Sequence, residues 1–210
     1  MIRFCGFFDY CRCDTTSPKR YGRDVLKVVI FAGLSAAVAY VSRSSLKVPR
    51  SHGFYRFFAW ECILALFFLN FINFRQWFGD PLSVRQLISW FLLIGCIIPG
   101  VHGVHLLRTQ GKPDARRPHD APLVWIEKTT QLVTTGAFKY IRHPLYSSLL
   151  FLAWGVFFKH PSWVGGGVVL GATAFLLATA KVEEVENVRY FGAAYRAYMQ
   201  HTRMFIPFVF

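Results

Sequence analysis

The sequence predicts an all-α, polytopic integral membrane protein with about five transmembrane helices. The last two are expected to form a tight helical hairpin, followed by an amphipathic C-terminal helix. Three observations carry this. Hydrophobic residues make up 54% of the 210 and charged residues only 17%, against about 25% charged in a soluble domain. Residues 86–107 and 162–180 hold no Asp, Glu, Lys or Arg; runs of this length can cross about 30 Å of hydrocarbon as helices. The formal net charge of +13 crowds into the segments between apolar blocks, as membrane topology and anionic headgroups require. With the spans removed, no basic face with stacking aromatics remains, so the charge does not indicate nucleic acid.

Residues 1–24 read as an N-terminal tail. They mix Asp9, Asp14 and Pro18 with basic residues and lack the continuous apolar core of a cleavable signal. Residues 25–107 read as three spans. The first, 25–41, is interrupted by Lys27. The second, 54–74, holds Arg56, expected to snorkel from its end, and the deeper Glu61, which needs a partner such as Arg56 or Arg85. The third, 84–107, is expected to kink at Pro99-Gly100, with neighbours satisfying the freed carbonyl.

Residues 108–210 read as the cofactor-binding and catalytic region. The stretch 108–122 is rich in Pro and charge and reads as loop. Residues 123–144 alternate aromatics with Thr, Gly and basic residues, as a segment on the membrane surface would. The fourth apolar segment, 145–158, is about 21 Å long as a helix, short for an untilted crossing. Lys159-His160-Pro161 turns the chain. The fifth, 162–180, is rich in glycine and alanine, which allow close helix approach in membranes. Residues 181–207 are charged and amphipathic, with a break at Gly192 and an end at Pro207.

Five spans place 42–53, 108–144 and the C-terminus on one side. That side holds Arg43, Lys47, Arg50, Arg108, Lys112, Arg116, Arg117, Lys128, Lys139 and Arg142. The other holds Arg3, Arg12, Lys19, Arg20, Arg23 and Arg75. The positive-inside rule assigns the first side to the cytosol. Of the five cysteines, Cys62 and Cys96 lie in spans as small hydrophobes, and Cys5, Cys11 and Cys13 match no disulfide framework.

The most specific sequence is Gly136-Ala-Phe138-Lys-Tyr-Ile-Arg142-His143-Pro144-Leu145-Tyr146. Pro144 suits the first turn of the fourth helix. The free amides of that turn, with Arg142 and His143 beside them, suit an anion. A second sequence runs Glu183-Glu184-x-x-Asn187, then Phe191-Gly192-x-x-Tyr195-x-x-Tyr198. Glu183 and Asn187 fall on one helix face. Anion donors on one wall and carboxylates on the other match a zwitterionic ligand bearing a carboxylate, an amine and ribose hydroxyls.

In these residues the C-terminal part resembles the isoprenylcysteine carboxyl methyltransferases and, more broadly, the membrane phospholipid methyltransferases. The resemblance covers about residues 127–207, from Gly136 and Arg142-His143-Pro144-x-Tyr146 to Glu183-Glu184, Phe191-Gly192, Tyr195, Tyr198, Arg203 and Pro207. It implies S-adenosyl-L-methionine bound at the cytosolic face, with contacts from Thr130, Gln131, Leu132, Val133, Phe138, His143, Pro144, Leu145, Tyr146 and Glu183. It also implies catalytic roles for Glu184, Lys181 and Arg142, and methyl transfer to a lipophilic acceptor entering from the bilayer. Such an enzyme belongs in the endoplasmic reticulum or another internal membrane, or in a bacterial plasma membrane. The chain departs from the family at Phe138, where a Tyr is usual, and at Thr179, where the carboxyl methyltransferases place an Arg facing the substrate carboxylate; Lys181 is the nearest cation. Prenylated cysteine, a phospholipid amine and other amphiphiles stay open as acceptors.

Arg-His-Pro-x-Tyr also resembles a stretch of NADPH-dependent membrane sterol reductases; the Glu-Glu and Phe-Gly-x-x-Tyr continuation favours methyl transfer. A carboxylate or thiolate acceptor needs no base, whereas an amine or hydroxyl does, with Glu184 and His143 as candidates. His102 and His105, three apart on the third span, lack the further histidines of a metal site. Ser147 and Ser148 lack a hydrolase elbow.

Overall fold

The computed structural model describes residues 18–72, 74–77, 80–112 and 129–207. The expectations for Cys5, Cys11 and Cys13, and for the loop at 113–128, lie outside them. Among the described residues the fold is helical, with one isolated parallel bridge from Ile141 to Arg203.

Helix α1 spans Pro18–Val41 and α2 is the short Arg43–Leu46. Helix α3, His52–Ile72, is the second apolar segment. The third segment is two helices meeting at Cys96: α4, Val84–Gly95, and α5, Ile97–Thr109. The break falls one turn before Pro99, because Pro99 has no N–H for the Gly95 carbonyl and its ring crowds that turn. Beside the break, the Cys96 carbonyl accepts both from the Gly100 amide at 3.3 Å and from Ser148 Oγ at 2.7 Å, so a neighbouring helix ties down the joint. Helix α6, Pro144–Lys159, begins at the proline the sequence singled out. Helix α7 runs unbroken over Trp163–Phe191, capped at its start by Ser162 Oγ, which accepts from the Gly165 amide at 3.0 Å. Gly192, at φ +63°, separates it from α8, Ala193–His201.

Among the described residues, three helical stretches are long and apolar enough to cross a membrane: His52–Ile72, Val84–Thr109 and Trp163–Phe191; Val25–Val41 and Pro144–Lys159 are shorter apolar helices. At 1.5 Å per residue the 29 residues of α7 extend about 44 Å. Hydrocarbon covers about 30 Å, so α7 carries Glu183, Glu184 and Asn187 beyond it as a continuation of the same rod.

The hairpin of α6 and α7 is embedded in the bundle: α7 packs chiefly on α3, and α6 chiefly on α4. Ala59, Ile63, Leu66, Ala153, Val156, Val169, Ala172 and Leu176 fill the shared core. The tightest glycine contacts between helices lie outside α7, and within α7 a Cβ on Gly165 would stand 3.4 Å from Phe157 of α6. A Cβ on Gly155 would stand 2.9 Å from Leu93, and one on Gly103 would stand 3.2 Å from Leu145, whereas Gly167 of α7 meets nothing.

The buried polar groups differ from expectation. Glu61 accepts from Ser35 Oγ of α1 at 2.8 Å, so its partner is a serine and neither Arg56 nor Arg85. Arg56 does not snorkel; it is buried, with its guanidinium 5.0 Å from the Trp60 ring centre. At one end of the bundle His52 Nδ1 lies 2.5 Å from Glu186 Oε2, tying α3 to α7. At the other, buried Lys159 donates to Gln86 Oε1 at 2.9 Å and lies over the Trp90 ring. The ends of α1, α5 and α7 and the starts of α3 and α6 thus share the end that carries the conspicuous motifs.

Candidate active site

That end holds an open cleft of about 650 Å³, counted out to its mouth. One wall is residues 129–133, pinned to the end of α5 by the Thr130 and Gln131 amides, which donate to the Gly111 carbonyl at 2.9 and 3.2 Å. A single 3-10 turn, Gly136–Lys139, follows. Gly136 sits at φ +57°, and a Cβ there would lie 2.4 Å from His102 Nε2. Only glycine tolerates that backbone and that neighbour together.

Residues 140–143 run beside the C-terminal segment. The Arg142 amide donates to the Arg203 carbonyl, the Arg203 amide to Tyr140 and the His143 amide to Met204, at 2.8, 3.0 and 3.1 Å. Ser147 Oγ donates to the Phe205 carbonyl at 2.7 Å and Tyr198 Oη to the Phe138 carbonyl at 2.6 Å. These bonds fold residues 192–205 back over the start of α6 and close the site.

Of the residues assigned to a cofactor, Gln131, Leu132, Val133, Phe138, His143, Pro144, Leu145, Tyr146 and Glu183 all line the cleft. Thr130 does not: its hydroxyl donates to the Lys112 carbonyl at 2.8 Å, and Thr129 takes the lining position. Leu107, Asn187, Phe191, Tyr195 and Tyr198 line it too. The last four were visible in the Glu-Glu and Phe-Gly-x-x-Tyr run but carried no assignment. Leu107 is an unremarkable leucine at a helix end and gives no sequence signal.

The expected division into donors on one wall and carboxylates on the other does not hold. Arg142 borders the cleft, but its guanidinium turns to Glu184, with Nε 2.5 Å from Oε1. It also donates to the carbonyls of Met199 and Thr202. His143, buried, places Nε2 3.4 Å from the same Glu184 oxygen and Nδ1 3.9 Å from Glu183. Glu184 is buried and outside the cleft lining. The donors and one carboxylate therefore neutralise each other inside the protein. Glu183 remains facing the cleft, where Tyr146 Oη donates to it at 2.5 Å.

Lys181 is exposed and outside the cleft lining. Thr179 is buried, its hydroxyl donating to the Phe175 carbonyl at 2.7 Å, so neither position faces the cleft. Asn187 of α7 hydrogen-bonds the phenol of Tyr195 on α8. Burial, and then the Glu183 carboxylate, push that phenol's pKa far above its ordinary value; burial does the same to Tyr198. His102 faces Gly136, whereas His105 faces a separate groove on the outer side of α5, so the two histidines do not act as a pair.

Leu107 apart, the wall is thus built from the Arg-His-Pro-x-Tyr stretch, the segment before it and the run from Glu183 to Tyr198, all between residues 129 and 198. Residues 122–194 match the phospholipid methyltransferase family. The match covers about a third of the 210 residues and falls where the motifs had placed the resemblance. Comparison with curated proteins and with solved structures gives no match. A membrane methyltransferase is the coarse assignment that the matched segment and the apolar helices support together.

Proposed function

We propose that the protein transfers a methyl group from S-adenosyl-L-methionine to a lipophilic acceptor that reaches the cleft from the bilayer. The observation that carries this reading is the convergence of nine of the assigned residues on one cleft. The donor set fits the cofactor. Glu183 and Asn187 offer acceptors for an amine or ribose hydroxyls, and Leu132, Val133, Phe138 and Phe191 offer apolar surface for a purine.

When bound, the cofactor supplies an electrophilic methyl on a sulfonium, displaced in line by the acceptor. The protein's task is to align the two and exclude water. Glu183, held by Tyr146, orients the ligand. The Arg142–Glu184–His143 cluster acts as a positioning clamp, keeping the C-terminal segment over the cleft. If the acceptor is an amine, Glu183 and His143 are the groups near enough to the cleft to take its proton. Exposed Lys181 is assigned to the membrane interface, where it can snorkel. The basic loops support a cytosolic position for the cleft, on an internal membrane or on the plasma membrane in a bacterium.

Calorimetry on the detergent-purified protein tests the reading, with S-adenosylmethionine, its demethylated product and NADPH as titrants. Binding of the first two is expected. Binding of NADPH alone would move the protein to the reductase reading. Labelled cofactor with a membrane lipid extract then identifies the acceptor.

A further inference from the structure

Helix α7 presents three carboxylates within four residues, and each has a different partner. Glu183 accepts from Tyr146 on the cleft wall, Glu184 pairs with Arg142 and His143, and Glu186 meets His52 of α3. The last pair lies off the cleft wall. At about 100° per residue, Glu184 projects about 100° to one side of Glu183 and Glu186 about 60° to the other, with Asn187 between them. The cleft-facing Glu183 and Asn187 therefore stand between two anchored carboxylates.

The two anchors differ in origin. Arg142 and His143 belong to the segment that builds the cleft. His52 belongs to the N-terminal bundle, outside the residues that match the family. It is the first residue of α3 and holds Glu186 twice: its amide donates to Oε1 at 3.3 Å, and its ring Nδ1 lies 2.5 Å from Oε2. The dipole of α3 favours a carboxylate at that end. The socket is itself fixed. Ser51 Oγ donates to the Val48 carbonyl at 2.8 Å and accepts from the Phe54 amide at 3.2 Å. A Cβ on Gly53 would stand 2.5 Å from Ser45 Oγ, so α2 packs directly on the backbone of the first turn of α3. The His52 side chain is wholly buried, which shields the contact from water.

Rotation of α7 is what this contact constrains. Side-chain tips stand about 5–6 Å from a helix axis, so a roll of about 10° moves them by about 1 Å. A displacement of that size can cost about a hundredfold where function depends on alignment.

We propose that His52 is a positioning residue: through Glu186 it fixes the roll of the last turns of α7 and so sets where Glu183 and Asn187 stand in the cleft. The consequence for the methyl donor rests on the proposed function; the rotational role rests on the helix contacts alone.

The full chain in detergent, titrated with S-adenosylmethionine, gives the first test. His52→Ala should bind it about tenfold more weakly with helical content unchanged. His52→Asn, whose side-chain amide reaches the place of Nδ1, should restore most of the affinity. In a Glu183→Gln background, His52→Ala should cost less than about threefold more, because the group it misplaces is already gone. Glu186→Gln, which keeps the shape and loses the charge, should show the same losses in milder form and serves if His52→Ala does not fold. A lower melting temperature with normal affinity would make His52 a structural contact only and overturn the proposal, as would additive losses in the double variant.

The roll is read separately, without cofactor. Asn187→Cys, in a chain whose five cysteines are replaced by serine, is labelled with a water-soluble maleimide. Releasing the anchor lets α7 sample more rolls, so His52→Ala should raise the labelling rate about threefold or more, and His52→Asn should not. An unchanged rate in both His52→Ala and Glu186→Gln would overturn the proposal. Absence of cofactor binding in the wild type, with the change in labelling present, would sink the methyltransferase reading and leave the role of His52 standing.

Discussion

Tyr146 Oη and Glu183 Oε2 are 2.5 Å apart, so the Arg-His-Pro-x-Tyr stretch and the carboxylate pair meet at one hydrogen bond on the cleft wall. Glu183→Gln keeps an acceptor for Tyr146 but removes the charge. It should weaken S-adenosylmethionine binding by about ten- to a hundred-fold, because a charge-assisted bond contributes about 1.5–3 kcal/mol. Thermal stability should hardly move. Tyr146→Phe leaves the carboxylate in place and should cost less. Calorimetry on both variants checks this; normal affinity in Glu183→Gln would remove Glu183 from the site.

Arg142 and Glu184 should behave as a structural unit. Arg142→Ala strands a buried carboxylate and two carbonyls, and should destabilise the C-terminal segment by about 1–3 kcal/mol. Arg142→Lys should not rescue it, since an ammonium cannot reproduce the fork. Protease sensitivity after residue 192 is the direct readout, and it should rise before the helical signal is lost. A variant with lower turnover and unchanged proteolysis would instead place Arg142 among the groups that touch substrate.

The contrast between those two carboxylates explains what the sequence disclosed and what it did not. The apolar runs located the bundle because hydrocarbon thickness constrains length and charge directly. Pro144 and Gly192 marked a helix start and a helix end because their backbone chemistry permits little else. Glu183 and Glu184 are chemically identical neighbours, and only their rotation about α7 decides which faces ligand and which faces Arg142. The same holds for Thr129 and Thr130. Side-chain direction at the junction of four segments is a tertiary property, as is the choice of Ser35 for Glu61.

The buried phenols of α8 predict an alkaline weakness. Their folded pKa values lie above the unfolded value of about 10. The stability they contribute is therefore complete below about pH 10 and lost as pH rises further, because the unfolded state ionises first. Tyrosinate absorbance should show Tyr195 and Tyr198 titrating after the exposed tyrosines, together with release of the C-terminal segment. Replacing both with Phe should remove the late phase, though it also removes the Tyr198 bond to the Phe138 carbonyl.

Gly136 allows a test that separates backbone strain from steric conflict. Its φ of +57° disfavours any residue with a Cβ, and the space a Cβ needs is held by His102 Nε2 and by Leu106 Cδ1, 2.4 and 2.7 Å from the ideal position. Gly136→Ala should therefore destabilise by about 1–3 kcal/mol for the strained backbone, with a further cost from displacing His102. It should also weaken cofactor binding, because the turn carries Phe138 into the cleft. His102 is exposed, so His102→Ala alone should be nearly neutral. In the double variant the steric part should vanish and the backbone part remain, giving partial recovery. Full recovery would mean that the positive φ costs nothing here. No recovery would mean that Leu106 and the backbone, and not His102, make glycine necessary at this position. Melting temperatures and cofactor affinities for the wild type, both single variants and the double variant form the thermodynamic cycle that decides among these outcomes.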